Sequence, residues 1–103
     1  MNTQDLQIAI IGAGNMGGAI ARGLCQGTLI QTKNIRVSDV SQANLDALKA
    51  FNSEINVTTS NKEAVKEADI VIVAVKPWLV EVIANEIESK LDYKKQVVVS
   101  IAA

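Results

Sequence analysis

The chain of 103 residues contains no histidine and only one cysteine, Cys25. Without histidine, the sequence offers no histidine general base, no histidine metal ligand and no Ser-His triad. No cluster of cysteine or carboxylate residues has the spacing of metal ligands, so we predict neither a metal site nor a catalytic side chain. A single cysteine forms no internal disulfide, which is typical of proteins in the reducing cytoplasm.

Long runs of one residue class are also missing. No basic run is longer than Lys94-Lys95 and the formal net charge is −1, which argues against a nucleic-acid or anionic-membrane partner. No apolar run approaches the roughly 20 residues of a membrane span, and residues 1–5 lack the basic region of a signal peptide. We therefore expect a soluble domain in the cytoplasm.

Hydrophobic residues, mostly Ala, Ile and Val, make up 49% of the chain. This composition is typical of buried parallel strands covered by helices. Near-continuous apolar runs predict strands at residues 6–11, 34–38, 55–58, 70–75 and 97–101. Helical spacing and capping residues predict helices at residues 15–26, 42–51, 60–67 and 77–91, with Ser41 and Ser60 at two of their starts.

The alternation of strands and helices predicts an α/β fold. We expect a doubly wound parallel sheet of the Rossmann type, with strand order 3-2-1-4-5 and right-handed crossovers. No helix follows the fifth strand, so the fold is truncated there and the apolar edge at residues 97–101 has no predicted cover. We interpret residues 1–103 as one domain, the N-terminal part of a longer protein.

The first strand runs directly into a G-x-G-x-x-G motif formed by Gly12, Gly14 and Gly17. A dinucleotide's pyrophosphate requires a sharp turn at the first glycine, close approach of the backbone at the second, and tight packing of the following helix at the third. That helix then directs its N-terminal amides at the anion. The motif therefore predicts dinucleotide binding, with an ordinary glycine turn as the alternative.

Asp39 directly follows the second strand, about 20 residues after the motif, where an acidic side chain accepts hydrogen bonds from the adenosine ribose. Its carboxylate would repel a 2′-phosphate, which favours NAD over NADP. Arg36 lies inside the strand, and positions 40 to 42 are Val, Ser and Gln, so the loop has no phosphate clamp. The alternative is that Asp39 only forms a turn into the helix that begins near Ser41.

Two further polar residues lie near the predicted ligand crevice. Lys76 follows the fourth strand and can offer a cation to cofactor or substrate anions, although an ordinary solvated lysine explains it equally well. Asn61 can contact adenosine or can help to cap its own helix. Trp78 is interpreted as packing, within this domain or against another one.

Three motifs together give a family resemblance. Gly12-Ala13-Gly14-Asn15-Met16-Gly17, Ala74-Val75-Lys76-Pro77 and Val98-Val99-Ser100-Ile101-Ala102-Ala103 resemble those of the pyrroline-5-carboxylate reductases. The resemblance implies reduction of the cyclic imine 1-pyrroline-5-carboxylate to L-proline with NADPH or NADH. It also implies a helical C-terminal domain, absent from this chain, which binds the substrate carboxylate and forms the homo-oligomer. The chain alone is therefore expected to be inactive.

The resemblance also implies positions along the cofactor. Residues 11–16 would hold the pyrophosphate, Asp39 and Asn61 would lie along the adenosine half, residues 74–77 would lead towards the nicotinamide, and residues 101–103 would flank it. NADPH-preferring members often have Asn-Arg-Ser or residues rich in Ser and Thr where this chain has Asp39-Val40-Ser41, which again favours NADH. With Gly17, the predicted cofactor-binding residues are Ile11, Gly12, Ala13, Gly14, Asn15, Met16, Gly17, Asp39, Asn61, Ala74, Val75, Lys76, Pro77, Ile101, Ala102 and Ala103.

Two other functions are compatible with the glycine motif and Asp39. A regulatory module that senses NAD(H) would need both features, but would not need Lys76-Pro77 or the final motif. Another imine or hydroxyacid reductase of the same type, with a different substrate domain, would also need the glycine motif and Asp39.

Overall fold

The computed structural model describes residues 3–102, apart from the side chain of Ala102. The parallel strands are β1 (Ile8–Ile11), β2 (Ile35–Ser38), β3 (Asn56–Thr58), β4 (Ile70–Val75) and β5 (Val97–Ala102). The α-helices are α1 (Asn15–Gln26), α2 (Gln42–Phe51), α3 (Asn61–Val65) and α4 (Val80–Ile87). Short 3-10 turns occupy Thr3–Asp5, Thr32–Asn34, Pro77–Leu79 and Glu88–Lys90.

The five strands form one parallel sheet with the order β3-β2-β1-β4-β5, which confirms the predicted topology. Its register places Ile10 of the central strand beside Val37 on one side and Ile72 on the other. Because β1 lies between the two halves of the sheet, its carboxyl end is the point where the strand order reverses. Ligands of such sheets bind in the crevice at that point.

Both faces of the sheet are packed, which explains the continuous apolar runs in the sequence. Ile8 and Ile10 point to the side of α1 and α2, where Leu45 and Leu48 complete the core. Ala9 and Ile11 point to the other side and belong to a core that contains Val65 of α3 and Ile87 of α4. Successive residues of a strand face opposite sides, so a strand buried on both faces has no polar alternation.

The two serine caps form as predicted. The side chain of Ser41 accepts a hydrogen bond from the backbone N of Asn44, and that of Ser60 accepts one from the backbone N of Glu63. At Ser60 only this half of the expected capping box forms among the described residues, because the backbone N of Ser60 donates to Thr58 Oγ1. Each cap satisfies one otherwise unpaired amide in a first helical turn.

Several boundaries differ from the sequence prediction. β1 begins at Ile8 rather than at position 6, since the backbone N of Gln7 donates to the Asp69 carboxylate and not to a strand carbonyl. α3 ends at Val65, before Glu67 adopts a left-handed φ of 64°. The helix predicted at residues 77–91 is α4 flanked by two 3-10 turns, because Leu79 N bonds to Lys76 O and Leu91 N bonds to Glu88 O.

The last strand is the least covered part of the sheet. Val97 is 60% exposed, Val98 is 37% exposed and Val99 is 41% exposed. The uncovered apolar edge expected at residues 97–101 is therefore present. Among the residues that the structure describes, no helix is long and apolar enough to cross a membrane.

Two glycines of α1 provide a test of how closely this helix packs on the sheet. A Cβ at Gly17 would collide with the carbonyl of Gly12, whereas a Cβ at Gly23 would meet no atom within 4 Å. We expect Gly17→Ala to cost on the order of 2 kcal/mol by overpacking, which would lower Tm by about 10 °C in a domain of this size. Gly23→Ala should instead stabilise the exposed helix by about 0.5–1 kcal/mol.

Thermal unfolding followed by circular dichroism measures both variants against the unchanged chain. Equal melting temperatures for the two variants would contradict the close approach of α1 to the glycine loop.

Candidate functional site

A cleft of about 640 Å³ opens at the carboxyl ends of β1, β2 and β4. Its walls come from the loop after β1, the loop between β2 and α2, the start of α3, and the segment after β4. The lining residues are Ile11, Gly12, Gly14, Asn15, Met16, Ser38, Asp39, Val40, Asn44, Asn61, Ala74, Val75, Lys76, Leu79 and Ile83.

The loop between β1 and α1 has a backbone that only glycine tolerates at its first position. Gly12 has a φ of +104°, and a Cβ there would collide with the carbonyl oxygen of Ala74. Its backbone N donates to the carbonyl of Ser38 at 2.8 Å, which ties the turn to the end of β2. The first glycine is therefore required by the fold itself.

Gly14 differs, because the protein leaves open space beside it. No atom lies within 4 Å of the position that its Cβ would take, and its φ of −74° suits any residue. Gly14 is the N-cap of α1 without a side-chain hydrogen bond, and the first-turn amides that follow it have no partner within the helix. Nothing in the packing of the described residues requires glycine here, whereas an anion bound to these amides would require it.

Asp39 forms three hydrogen bonds on the cleft wall. Its Oδ2 accepts one from the backbone N of Ala13 at 2.7 Å and a longer one from Asn44 Nδ2 at 3.4 Å. Its Oδ1 accepts one from the backbone N of Ser41 at 2.8 Å. The turn contact of the alternative interpretation is thus present, and the half-buried carboxylate also lines the cleft.

Asn61 lies at the start of α3 and is 9% exposed. Its Oδ1 accepts a hydrogen bond of 2.7 Å from the hydroxyl of the fully buried Ser38. The cap of α3 is Ser60, so the alternative role of Asn61 as a capping side chain is not what the structure shows. Within the described part of the chain its Nδ2 has no acceptor, and the residue lines the cleft as a donor.

The segment after β4 forms the opposite wall. Ala74, Val75 and Lys76 line the cleft together with Leu79 and Ile83 of the following turn and helix. Lys76 is exposed, and among the described residues its side chain has no ion pair or hydrogen bond. Its ammonium group is therefore available to an anion.

The remaining predicted residues lie away from the cleft surface. Ala13 and Gly17 are buried behind the loop, and the exposed Pro77 follows Lys76 without lining the cleft. Ile101 is half-buried in β5 and does not line it either, and Ala102 ends β5. Ala103 lies outside the described residues. Trp78 is 73% exposed, so it does not pack within this domain, and the other alternative, packing against another domain, stays a prediction.

Five lining residues were not predicted as cofactor contacts: Ser38, Val40, Asn44, Leu79 and Ile83. Ile83 also packs against the core that contains Val65 and Ile87. Asn44 had a usable signal, because it follows the Ser41 cap by three residues and the first helical turn after β2 borders the crevice. Among the described residues, no group of three His, Cys, Asp or Glu side chains could hold a metal ion.

Cys25 lies in the last turn of α1, outside the residues that line the cleft. Burial raises the pKa of its thiol, with a smaller increase from the charge of Glu54, against a decrease caused by the hydrogen bond with the side chain of Thr32. The higher pKa keeps the thiol protonated at neutral pH, and a protonated thiol is a poor nucleophile. Cys25 is therefore a packing residue.

Comparison with known proteins agrees with this geometry. The family model described as "NADP oxidoreductase coenzyme F420-dependent" matches residues 7–103. The chain belongs to this family. Pyrroline-5-carboxylate reductase of Arabidopsis thaliana is 36% identical over 101 residues, which are 97% of this chain and 36% of that protein.

Two solved structures are similar to the whole domain. Pyrroline-5-carboxylate reductase from Coxiella burnetii is 30% identical, with a TM-score of 0.85 over 95% of this chain and 36% of that one. The Plasmodium falciparum pyrroline carboxylate reductase, solved with NADP bound, is 26% identical, with a TM-score of 0.79 over 96% of this chain and 34% of that one.

The resemblance to pyrroline-5-carboxylate reductases that the three motifs indicated is thus confirmed along nearly the whole chain. The chain spans about a third of the length of these relatives. The family and its solved neighbours support an oxidoreductase domain with a nicotinamide dinucleotide as cofactor.

A substitution at Gly14 tests whether this glycine is required by a bound ligand rather than by the fold. We expect Gly14→Ala to leave Tm unchanged within about 2 °C, since its Cβ enters open space. Its affinity for NADH should fall at least about tenfold, or ~1.4 kcal/mol, because the methyl group lies where the phosphates approach. Thermal unfolding and calorimetric titration measure the two effects, and unchanged affinity would mean that no ligand comes close to this position.

Proposed function

We propose that this chain is the cofactor-binding domain of an oxidoreductase that reduces 1-pyrroline-5-carboxylate to L-proline with hydride from NADH or NADPH. The observation that carries the proposal is the open α1 N-terminus in the cleft, with a second glycine that the protein's own packing does not require. The similarity of nearly the whole chain to pyrroline-5-carboxylate reductases supports the choice of reaction.

In this proposal the dinucleotide lies across the carboxyl ends of the strands. The glycine loop, from Ile11 to Met16, holds the pyrophosphate through backbone amides, and Gly17 lets α1 approach. Asp39 and Asn61 contact the adenosine half. The residues from Ala74 to Pro77 lead towards the nicotinamide, and those from Ile101 to Ala103 flank it.

The chemistry proposed for the domain is positioning. The nicotinamide supplies the hydride when bound, and an imine protonated on nitrogen is already an electrophile, so the domain need not provide a strong general acid. Lys76, exposed beside the cleft, can hold an anionic group of cofactor or substrate. We assign no catalytic residue within this sequence.

The rest of the proposed enzyme lies outside these 103 residues. A helical C-terminal domain would bind the carboxylate of the imine substrate and form the homo-oligomer. We also propose a cytoplasmic location, since the lone Cys25 suits a reducing compartment.

The proposed preference for NADH over NADPH rests on the charge of Asp39. Its carboxylate lines the cleft, and Val40 and Asn44 beside it carry no cation. Lys76, the cation among the lining residues, belongs to the segment after β4. A 2′-phosphate near Asp39 would therefore meet repulsion without compensation.

Calorimetric titration with NADH and NADPH tests the binding function directly. We expect both to bind and NADH to bind more tightly, while addition of 1-pyrroline-5-carboxylate should produce no oxidation of either coenzyme by the chain alone. If neither dinucleotide binds, the proposed cofactor-binding function is refuted. If the chain alone oxidises a coenzyme, the proposal that catalysis requires a further domain is refuted.

Charge removal tests the preference separately. Asp39→Ser should narrow the NADH-to-NADPH affinity ratio, since the repulsion of the 2′-phosphate disappears. Asp46→Ser is the matched control, because Asp46 is an exposed carboxylate of α2 outside the cleft lining. An equal change of the ratio in both variants would assign the preference to overall charge rather than to Asp39.

A further inference from the structure

The hydrogen bonds of Asp39 limit what it can do for a ribose. A carboxylate offers about four lone-pair positions, and three donors already use Asp39: two backbone amides at 2.7 and 2.8 Å and the amide of Asn44 at 3.4 Å. One position remains, on Oδ1. A ribose presents two neighbouring hydroxyls, so Asp39 cannot accept from both while it keeps all three present contacts.

The two backbone contacts are the ones that the fold maintains. The amide of Ala13 belongs to the glycine loop and the amide of Ser41 belongs to the cap of α2, and both bonds are short. The bond from Asn44 Nδ2 is at the outer limit of hydrogen-bond length. It is therefore the weakest contact that Asp39 makes and the one most easily exchanged.

The position of Asn44 allows its side chain to exchange the bond to Asp39 for a contact with a ligand. Its backbone N is held by the Ser41 side chain at 3.3 Å, so the Cα position is fixed at the start of α2. The half-buried side chain lines the cleft beside Asp39. Within the described part of the chain its Oδ1 accepts no hydrogen bond, which leaves a carbonyl acceptor on the same wall as the carboxylate.

We propose that Asn44 is a second ribose-reading residue, which accepts one hydroxyl of the adenosine ribose on Oδ1 while Asp39 accepts the other. The proposal rests on the proposed dinucleotide function and adds a specificity-determining residue to it. A pair of neighbouring acceptors suits an unmodified ribose, because each hydroxyl can donate. A 2′-phosphate at neutral pH brings charge and little or no hydrogen to donate, so the same pair favours NADH.

The experiment compares Asn44→Ala with the unchanged chain in titrations with NADH and with NADH analogues that lack the 2′- or the 3′-hydroxyl of the adenosine ribose. Alanine favours helix, so α2 should persist. We expect the affinity for NADH to fall about fivefold, the effect of one lost hydrogen bond. One of the two analogues lacks the hydroxyl that donates to Asn44. With that analogue the substitution should change affinity less than about twofold, because the hydrogen bond to Asn44 is already absent.

Gln42→Ala is the matched control on the same helix. Gln42 donates to Asp46 at 3.0 Å, is exposed and does not line the cleft, so its substitution should leave the affinity for each ligand unchanged. Circular dichroism of all variants checks that the total helix content is unchanged.

Three results would overturn the inference about Asn44. An effect of Asn44→Ala that is equal for NADH and both analogues would mean that Asn44 acts only through the shape of the loop, and would overturn the inference. Unchanged affinity for NADH would overturn it as well, while the dinucleotide function would stand. Absence of NADH binding in the unchanged chain would refute the proposed function and the inference with it.

Discussion

The hydrogen bonds between the glycine loop and the end of β2 are the constraint on which the site depends. The backbone N of Gly12 donates to the Ser38 carbonyl at 2.8 Å, and that of Ala13 donates to the Asp39 carboxylate at 2.7 Å. These contacts use the amides before α1 and fix the turn, so the amides of the first helical turn remain open towards the cleft.

The same end of β2 also orders the far side of the cleft. The hydroxyl of Ser38, a fully buried residue, donates to Asn61 Oδ1 at 2.7 Å, which holds the Asn61 side chain at the cleft wall. Buried polar groups are costly unless paired, and in the described part of the chain no buried side-chain nitrogen or oxygen lacks a partner. Ser38, the last residue of β2, and Asp39, which follows it, therefore connect the glycine loop, α2 and α3.

The sequence allowed most of the fold to be predicted because its signals are local. β4, with the run Ile70–Val75, and the serine caps of α2 and α3 depend on residues within a few positions of one another. The strand order followed from the alternation of strands and helices together with the glycine motif, which are typical of the Rossmann type. The start of β1 was missed because a distant side chain, Asp69, accepts the hydrogen bond of the Gln7 amide. The ends of α3 and α4 were missed because of local backbone geometry, the left-handed φ of Glu67 and the 3-10 turns on both sides of α4.

The site was less predictable because its contacts join separate segments. The glycine motif and Asp39 were recognisable from spacing, but the bond from Ser38 to Asn61 crosses 23 positions of the chain. Asp39 also shows why two interpretations of one residue need not exclude each other, since the carboxylate both forms the turn to Ser41 and lines the cleft. The spacing of residues in the sequence does not show how many hydrogen bonds the Asp39 carboxylate already accepts within the protein.

The two walls of the cleft differ in how firmly they are held, and this difference bears on how a dinucleotide would bind. Short hydrogen bonds fix Asp39 just after β2 and join Asn61, at the start of α3, to Ser38 at the end of β2. On the other wall Lys76 is exposed without a described side-chain partner, and Leu79 is 40% exposed. Recognition at a preorganised wall costs little ordering entropy, whereas groups at the free wall must be ordered on binding. In the proposed complex the adenosine half would therefore meet groups that are already in place, whereas the exposed side chain of Lys76 would be ordered on binding.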